Sequence, residues 1–264
     1  MIFEEFKEFA FGYTALTEVD GKHKDMLMDI GIYKFKEGET LSLLDEGKES
    51  ALLLLDGTVT MKWLDQEQRM ERHSVFDEEP WCLHVPKGVK VEVVAHEVSE
   101  VLIQKAHNER DFESKCYTPE DCKTEVFGEN VLGDTSRRLV RTIFDYNNAP
   151  YSNMVNGEVI HFPGKWSSYP PHHHPQPEVY FYKFNKPQGF GCSIVGDEVF
   201  KVTHNSICAI PGHLVHPQVT APGYAMYYCW MIRHIEGNPW TERITLDEHK
   251  WLLDKDVKVW PEDK

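Results

Sequence analysis

The most chemically informative stretch of the sequence is a run of three histidines followed by a glutamate, in His172-His173-His174-Pro175-Gln176-Pro177-Glu178. Successive side chains of an extended strand point to opposite faces, so His172 and His174 share a face while His173 points away. Glu178 follows the short Pro-Gln-Pro turn and opens a segment rich in strand-forming residues. Two imidazoles and a carboxylate on adjacent strands can bind one divalent metal ion and leave positions open for a substrate. The alternative is a surface histidine cluster on a proline-rich loop.

A fourth histidine, His216, follows 38 residues after Glu178. Because a β-barrel brings the ends of distant strands together, this spacing allows His216 to reach the same centre as His172, His174 and Glu178. Three imidazoles and one carboxylate suit Zn, Mn, Fe or Ni, and the ligand types alone do not choose among these metals.

Composition and charge limit the classes of partner. The 264-residue chain has a formal net charge of -15, which argues against nucleic acid or an anionic membrane surface as a partner. No stretch approaches the roughly 20 apolar residues of a membrane span, and the first residues lack a signal-peptide pattern. The six cysteines are scattered without a Cys-x-x-Cys pair, which indicates reduced thiols in a cytoplasmic protein.

The first half of the chain reads as short apolar strands separated by turns. Residues 51–55 predict a buried strand and residues 58–63 its hairpin partner, with Asp56-Gly57 as the turn. Residues 89–95 alternate cleanly between apolar and polar side chains. Strands at intervals of about ten residues, with no long amphipathic helix, favour an all-β sandwich or barrel.

The second half repeats this pattern, so the sequence predicts a duplicated β-barrel. Each half contains a strand that ends in a proline–glycine turn, at residues 85–88 and 210–212, and only the second half carries the histidines and the glutamate. We therefore place a first barrel without a metal site at residues 1–125 and a second barrel with the metal site at residues 126–264. The tail at residues 247–264 is expected to pack as a short helix or arm.

The longer motifs resemble one family of the cupin superfamily, the 5-deoxy-glucuronate isomerases of bacterial inositol catabolism. The similarity rests on GKWSSYPPHHH at residues 164–174, EVYFY at 178–182, PQGFG at 187–191, His216-Pro217 and APGY at 221–224. It covers most of the chain and is specific in the second half.

The resemblance implies a fold, a metal and an activity. The fold is all-β, a bicupin of two jelly-roll-like β-barrels in tandem with short helical or irregular segments. The second barrel would bind one divalent metal ion, zinc first with Mn, Fe or Ni as alternatives, through His172, His174, Glu178 and His216, with His213 competing for the fourth position. The activity would be conversion of 5-deoxy-glucuronate, a small sugar acid, to 5-dehydro-2-deoxy-gluconate in myo-inositol catabolism. Since bicupins commonly associate through edge strands, a homo-oligomer is left open.

Two departures from the family pattern bear on the substrate. The loop between His174 and Glu178 is shorter than usual in that family, and the turn from Pro211 to His216 is one residue longer. Both lean toward the related 4-deoxy-L-threo-5-hexosulose-uronate ketol-isomerase of pectin breakdown. Outside the isomerases, a cupin that binds a sugar acid without turnover and an Fe(II) oxygenase remain alternatives.

Other residues are candidates for the chemistry of an isomerase, which moves a proton between neighbouring carbons and stabilises a developing enediolate oxygen. Tyr180, Tyr182, Tyr228 and Lys165 are the candidate catalytic residues, although aromatic residues on strands more often belong to the core. Lys165 and Arg141 are candidates to bind the substrate carboxylate, the latter through a two-pronged guanidinium contact. Ordinary surface charge is the alternative for both cations.

Overall fold

The chain folds almost entirely into short antiparallel strands. The structure is a computed structural model that describes residues 2–261. Its strands are β1 Phe3–Glu5, β2 Gly12–Thr17, β3 Asp29–Phe35, β4 Thr40–Leu43, β5 Lys48–Trp63, β6 Gln66–Arg72, β7 Cys82–Val85, β8 Val91–Ala95, β9 Ser99–His107, β10 Lys115–Tyr117, β11 Glu125–Phe127, β12 Arg138–Phe144, β13 Met154–His161, β14 Trp166–Ser167, β15 His172–His173, β16 Glu178–Phe184, β17 Phe190–Val195, β18 Glu198–Thr203, β19 Ser206–Ile210, β20 Gln218–Thr220, β21 Met226–Arg233 and β22 Ile244–Thr245. The predicted all-β class is confirmed.

Short 3-10 helices interrupt the strands at Lys24–Met26, Leu132–Asp134 and Asp247–Leu253. The last of these lies in the predicted C-terminal arm, of which residues 262–264 lie outside the described part. No helix within residues 2–261 is long and apolar enough to cross a membrane.

The first barrel is built around the long strand β5, which takes part in two sheets. Its first part pairs with β7 and β9, and its second part pairs with β6 and β8. The other strands extend these sheets in the order β10-β7-β5-β9-β3-β2, with β4 beside β8. The barrel interior is filled with buried apolar side chains such as Leu52, Val59 and Val93.

The predicted hairpin turn at Asp56-Gly57 is wrong, because these two residues lie inside the single strand β5. The register of β5 against β9 shifts between Leu54 and Asp56, and Gly57 has a positive φ of 100°. A Cβ atom at Gly57 would lie 2.3 Å from the Ser99 hydroxyl oxygen. The glycine therefore bends the strand from one sheet into the other, a role that uses the same conformational freedom as a hairpin turn.

The second barrel consists of a sheet in the order β1-β19-β16-β21-β13-β12-β11 and a smaller sheet in the order β14-β20-β17-β18. Its interior is more aromatic than that of the first and contains Tyr180, Tyr182 and Tyr228. Strand β1 lies in this barrel, with Phe3 opposite Cys208, although the predicted division places residues 1–125 in the first barrel. Glu125 likewise belongs to β11, which pairs with β12. The pairing of β1 with β19, which is far away in the sequence, leaves no local signal.

The two barrels share a third core, which combines buried residues from both halves such as Phe9, Ile30, Val179 and Tyr227. A buried ion pair crosses the same interface. Nη1 and Nη2 of Arg72 donate to the Glu158 carboxylate, at 2.7 and 2.8 Å, and both side chains are fully buried. The barrels are therefore docked through a specific polar contact as well as through apolar packing.

Candidate metal centre

The predicted ligands converge at one end of the second barrel. His172 lies on β15, His174 follows it, Glu178 begins β16, and His216 precedes β20. The Nε2 atoms of His174 and His216 each lie 3.2 Å from Oε2 of Glu178. The candidate ligand atoms of these three buried residues all lie within 4.8 Å of one another.

His172 borders this group without belonging to the three residues that lie within 4.8 Å of one another. Its side chain is buried and lines the same cavity, and its ring centroid lies 5.1 Å from that of His216. His172 therefore lies beside the other three residues, and its role as a fourth ligand stays a prediction.

Backbone contacts bring the ligand segments together. The amide of His213 donates to the carbonyl of His174 at 2.7 Å, which holds the turn before His216 against the turn before Glu178. A Cβ atom at Gly212 would lie 1.9 Å from the carbonyl oxygen of Pro175. Only glycine permits this approach, so the Pro-Gly turn noted in the sequence has a steric reason.

The three imidazoles are oriented in the same way. Each Nδ1 lies at hydrogen-bond distance from a backbone carbonyl two residues away: 2.8 Å for His172 to Pro170, 3.0 Å for His174 to Gln176, and 2.8 Å for His216 to Leu214. Because a carbonyl oxygen only accepts, each neutral ring carries its proton on Nδ1 and presents an Nε2 lone pair. Histidine ligands of metal ions are commonly oriented by such contacts.

This orientation fits a cation at the centre. Two Nε2 lone pairs that face a carboxylate oxygen at 3.2 Å repel it unless positive charge lies between them. A divalent metal ion supplies that charge, and nitrogen and oxygen donors of this kind are suitable ligands for it. The residues present therefore fit a metal ion, held by His174, Glu178 and His216 with His172 beside them.

Burial shapes the protonation of the site. Burial alone would raise the pKa of Glu178, but in the metal-free protein hydrogen bonds and positive charge from the protonated forms of His174 and His216 outweigh burial and lower this pKa to about 2; a bound metal ion would supply the positive charge in place of those protons. Burial, with repulsion from His216, lowers the pKa of His172 to about 3. Both shifts favour the forms that bind metal ions, an ionised carboxylate and a neutral imidazole.

The three candidate tyrosines occupy different positions. Tyr180 and Tyr228 line the metal cavity and stack at 4.4 Å between ring centroids. Their hydroxyl groups share hydrogen bonds with the hydroxyls of Ser168, at 2.9 Å, and Ser167, at 2.7 Å. Burial raises the pKa of both phenols, so they stay protonated near neutral pH.

Tyr182 is not part of the lining of this cavity. Its hydroxyl donates to the side-chain carbonyl of Gln218 at 2.7 Å, inside the barrel. The catalytic role suggested for Tyr182 does not fit this placement, because its only hydroxyl proton is engaged within the core.

The two predicted carboxylate-binding cations also lie elsewhere. Arg141 is buried between the barrels, where its Nη1 donates to the carbonyls of Val75 and Glu78 and lies 3.4 Å from a Glu158 oxygen. Lys165 is outside the cavity lining as well, and its backbone carbonyl accepts a hydrogen bond from the Thr220 amide. Neither side chain is placed to bind a substrate at the metal centre, so the structure does not support Arg141 as a carboxylate ligand or Lys165 in either of its two roles.

The two remaining histidines of the motif lie outside the cavity lining. His173 points away from the cavity, as the alternation predicts, and its ring lies 6.3 Å from that of His213. His213 is exposed and sits in a turn with a positive φ of 70°. It is therefore not placed to replace His216.

Sequence reasoning missed two arginines that line the cavity, Arg138 and Arg243, together with the rings of Phe127 and Trp240. Alternation along β12 puts Arg138 and Val140 on one face and Arg141 on the other, but it does not say which face looks into the cavity. No local pattern identifies Arg243. It reaches the cavity because β22 pairs with β15, with Thr245 opposite His172.

Comparisons with known sequences extend over most of this chain. Residues 3–252 match the family model described as the KduI/IolB family. The 5-deoxy-glucuronate isomerase of Geobacillus kaustophilus is 27% identical over 252 residues, which cover 88% of this chain and 88% of that protein. The 5-deoxy-glucuronate isomerase of Lacticaseibacillus casei is 24% identical over 275 residues, which cover 94% of this chain and 96% of that protein.

Solved structures show the same architecture. An IolB-like protein from Salmonella typhimurium superposes with a TM-score of 0.86 at 20% identity, over 96% of this chain and 100% of that chain. The oxalate decarboxylase of Lactobacillus farciminis, in a formate complex, superposes with a TM-score of 0.69 at 11% identity, over 96% of this chain and 90% of that chain. These likenesses concern the fold, and they confirm the predicted cupin-like β architecture.

Proposed function

Because this chain belongs to the KduI/IolB family, we propose that it is a metal-dependent aldose–ketose isomerase that converts 5-deoxy-glucuronate to 5-dehydro-2-deoxy-gluconate. The observation that carries the proposal is the convergence of His174, Glu178 and His216, within 4.8 Å of one another, at a cavity that is also lined by protonated phenols. Relatives named 5-deoxy-glucuronate isomerase match 88% and 94% of the chain and supply the substrate.

The metal ion would be held by His172, His174, Glu178 and His216. When bound, it would act as a Lewis acid toward the hydroxy-carbonyl end of the sugar acid. We propose zinc, with manganese, iron or nickel as the alternatives that the same ligands accept. The Nδ1 contacts to backbone carbonyls keep the imidazole rings turned toward the cavity before a substrate arrives.

The tyrosines would serve the substrate as donors. Since the pKa values of the Tyr180 and Tyr228 phenols are raised by burial, neither is suited to remove a proton from carbon near neutral pH. Each phenol can instead donate a hydrogen bond to a substrate oxygen on which negative charge develops. Ser168 and Ser167 fix the direction of the two hydroxyl groups.

Adjacent histidines on opposite faces provide a matched test. We expect His174→Ala to lose both the metal ion and isomerase activity, and His173→Ala to keep both. The measurements are metal content after purification and turnover of 5-deoxy-glucuronate after loading with Zn, Mn, Fe or Ni. Absence of turnover with all four metals would overturn the proposal. Sugar-acid binding without turnover would then favour the non-catalytic alternative, and oxygen consumption with Fe(II) would favour an oxygenase.

A second substrate belongs in the same assay. The short turn between His174 and Glu178 favours 4-deoxy-L-threo-5-hexosulose-uronate, the substrate of the related ketol-isomerase. In the structure this turn is fastened to the C-terminal segment, because the Gln176 side chain donates to the carbonyl of Asn238 at 2.7 Å. A higher kcat/KM for the hexosulose-uronate than for 5-deoxy-glucuronate would assign the chain to this alternative.

A further inference from the structure

The metal cavity contains two guanidinium groups whose charge the protein leaves uncompensated. Arg138 and Arg243 both line it, and Glu178 is the one carboxylate in the lining. Three other arginines pair with acids, Arg72 and Arg141 with Glu158 and Arg137 with Glu129. Within residues 2–261, neither Arg138 nor Arg243 forms such an ion pair.

Each guanidinium is positioned by an aromatic ring of the same lining. Arg138 lies over the ring of Phe127 at 5.8 Å, and these two residues are opposite each other on β12 and β11. Arg243 lies over the ring of Trp240 at 5.5 Å. Stacking on a ring face orients the planar guanidinium and leaves donors at its edge free for a carboxylate.

Arg138 is the more constrained of the two. Its side chain is largely buried, and its Nη1 donates to the carbonyl of Ser136 at 2.8 Å. Burial lowers the pKa of Arg138, and the nearby charge of Arg243 lowers it further. A buried charge of this kind is stabilised by an anion that shares the cavity.

Arg243 comes from a segment that closes over the ligand strand. This segment is fixed at three points: β22 pairs with β15, the Leu246 amide donates to the carbonyl of Pro171 at 3.1 Å, and the Asn238 carbonyl accepts from Gln176. The ring of Trp240 also lies 6.1 Å from that of His174. The same segment therefore presents a cation to the cavity and contacts both His172 on β15 and the ring of His174 beyond it.

We propose that Arg138 and Arg243 bind the carboxylate of the sugar-acid substrate and so select acids over neutral sugars. The inference rests on the proposed function for the identity of the substrate, but the two residues can be tested apart from turnover. The carboxylate lies between a guanidinium from the barrel wall and one from the C-terminal segment, while the other end of the substrate faces the ligands.

Gluconate and glucitol are suitable probes because they share a carbon chain. At one end gluconate carries a carboxylate where glucitol carries a hydroxymethyl group. Binding to the metal-loaded, full-length protein is measured by calorimetry. We expect the unmodified protein to prefer gluconate, and Arg138→Gln or Arg243→Gln to reduce that preference about 10- to 100-fold, as expected for loss of a charge-assisted contact. Arg137→Gln, a change in the neighbouring arginine that pairs with Glu129, is the matched control and should leave the preference unchanged.

Metal content and the unfolding midpoint are measured for each variant. Arg243 is exposed, so its variant is expected to fold even if Arg138→Gln does not. Retention of the gluconate preference in Arg243→Gln, or no preference in the unmodified protein, would overturn the proposal.

Kinetics separate this proposal from the proposed function. With 5-deoxy-glucuronate, the arginine variants should raise KM about 10- to 100-fold while kcat changes much less. An arginine-dependent gluconate preference without any isomerase activity would leave the carboxylate site standing and contradict the isomerase. Turnover with unchanged KM in both arginine variants would contradict the carboxylate site and leave the isomerase standing.

Discussion

The Nε2 atom of His216 lies 3.2 Å from Oε2 of Glu178, although Glu178 begins β16, His216 lies in the turn before β20, and the two are 38 positions apart in the sequence. The same carboxylate oxygen lies 3.2 Å from Nε2 of His174. Glu178 is thus the point at which the histidine motif and the distant histidine meet. The following predictions test what surrounds and supports this point.

Tyr180→Phe and Tyr182→Phe should affect different properties, the first catalysis and the second stability. Tyr180 lines the metal cavity, so loss of its hydroxyl should lower kcat by about 100-fold with the metal content unchanged. Tyr182 hydrogen-bonds to Gln218 inside the barrel, so its loss should spare kcat and lower the free energy of unfolding by about 1–3 kcal/mol. Steady-state kinetics and chemical denaturation measure both, and a larger kcat effect at Tyr182 would contradict the assignment.

Gly212→Ala should disturb the metal centre from outside it. The added Cβ would lie 1.9 Å from the Pro175 carbonyl oxygen, so the two ligand turns must separate. We expect a loss of about 1–3 kcal/mol in unfolding free energy and weaker metal binding, measured by chelator competition. Gly47→Ala is the control, because a Cβ there meets its nearest neighbour at 3.9 Å. Equal metal affinity in the two variants would show that the close approach at Gly212 does not hold the site together.

The buried carboxylate of Glu158, between the barrels, should contribute more to the free energy of unfolding than a carboxylate at the surface. Glu158 accepts hydrogen bonds from Arg72 and from the Tyr227 hydroxyl, at 2.8 Å for the latter, and is fully buried. Glu158→Gln leaves a buried guanidinium uncompensated and should lower the free energy of unfolding by about 3–5 kcal/mol.

The exposed pair of Glu129 and Arg137 is the comparison for that measurement, and Glu129→Gln should change the free energy of unfolding by less than about 1 kcal/mol. Denaturant titration of both variants gives the comparison. Losses of equal size would contradict a docking role for Glu158.

Acidification should destabilise the metal-free protein. Burial lowers the pKa of His161 and His172 to about 3 and that of His234 to about 4, from an ordinary value of 6.5. Between about pH 6.5 and these values the unfolded chain binds protons that the folded chain does not, so stability falls as the pH falls. Glu178, with its pKa lowered to about 2 from 4.5, adds a loss in the same direction below pH 4.5.

The thermal unfolding midpoint of the metal-free protein should therefore decrease steadily from pH 7 to pH 4.5. His161→Gln removes one of the buried histidines without touching the ligands, so it should make this decrease shallower. A midpoint that stays constant or rises over this range would contradict the assigned pKa shifts.

The ligand set could be predicted because its signals are local. Alternation in a strand separates His173 from His172 and His174, and the residue types themselves indicate a metal ion. The all-β class likewise follows from short apolar runs and turn residues. Both kinds of evidence depend on neighbours a few positions apart in the sequence.

The features that were missed depend on register and on distant pairing. Arg141 and Arg138 differ by three positions on β12, which places them on opposite faces, and the sequence does not say which face looks into the barrel. Gly57 has the local chemistry of a turn, but the packing of Ser99 makes it a bend within one strand. Arg243 reaches the cavity only through the pairing of β22 with β15.

Solvent proton exchange during turnover tests the central claim most directly. The metal-loaded protein is incubated with 5-deoxy-glucuronate in deuterated water, and the reaction is followed by NMR. The isomerase proposal predicts formation of the ketose with deuterium at the carbon that receives the proton, and predicts no reaction for Glu178→Gln, which lacks the carboxylate shared by His174 and His216. Unchanged 5-deoxy-glucuronate in the presence of protein loaded with each of Zn, Mn, Fe and Ni would contradict it.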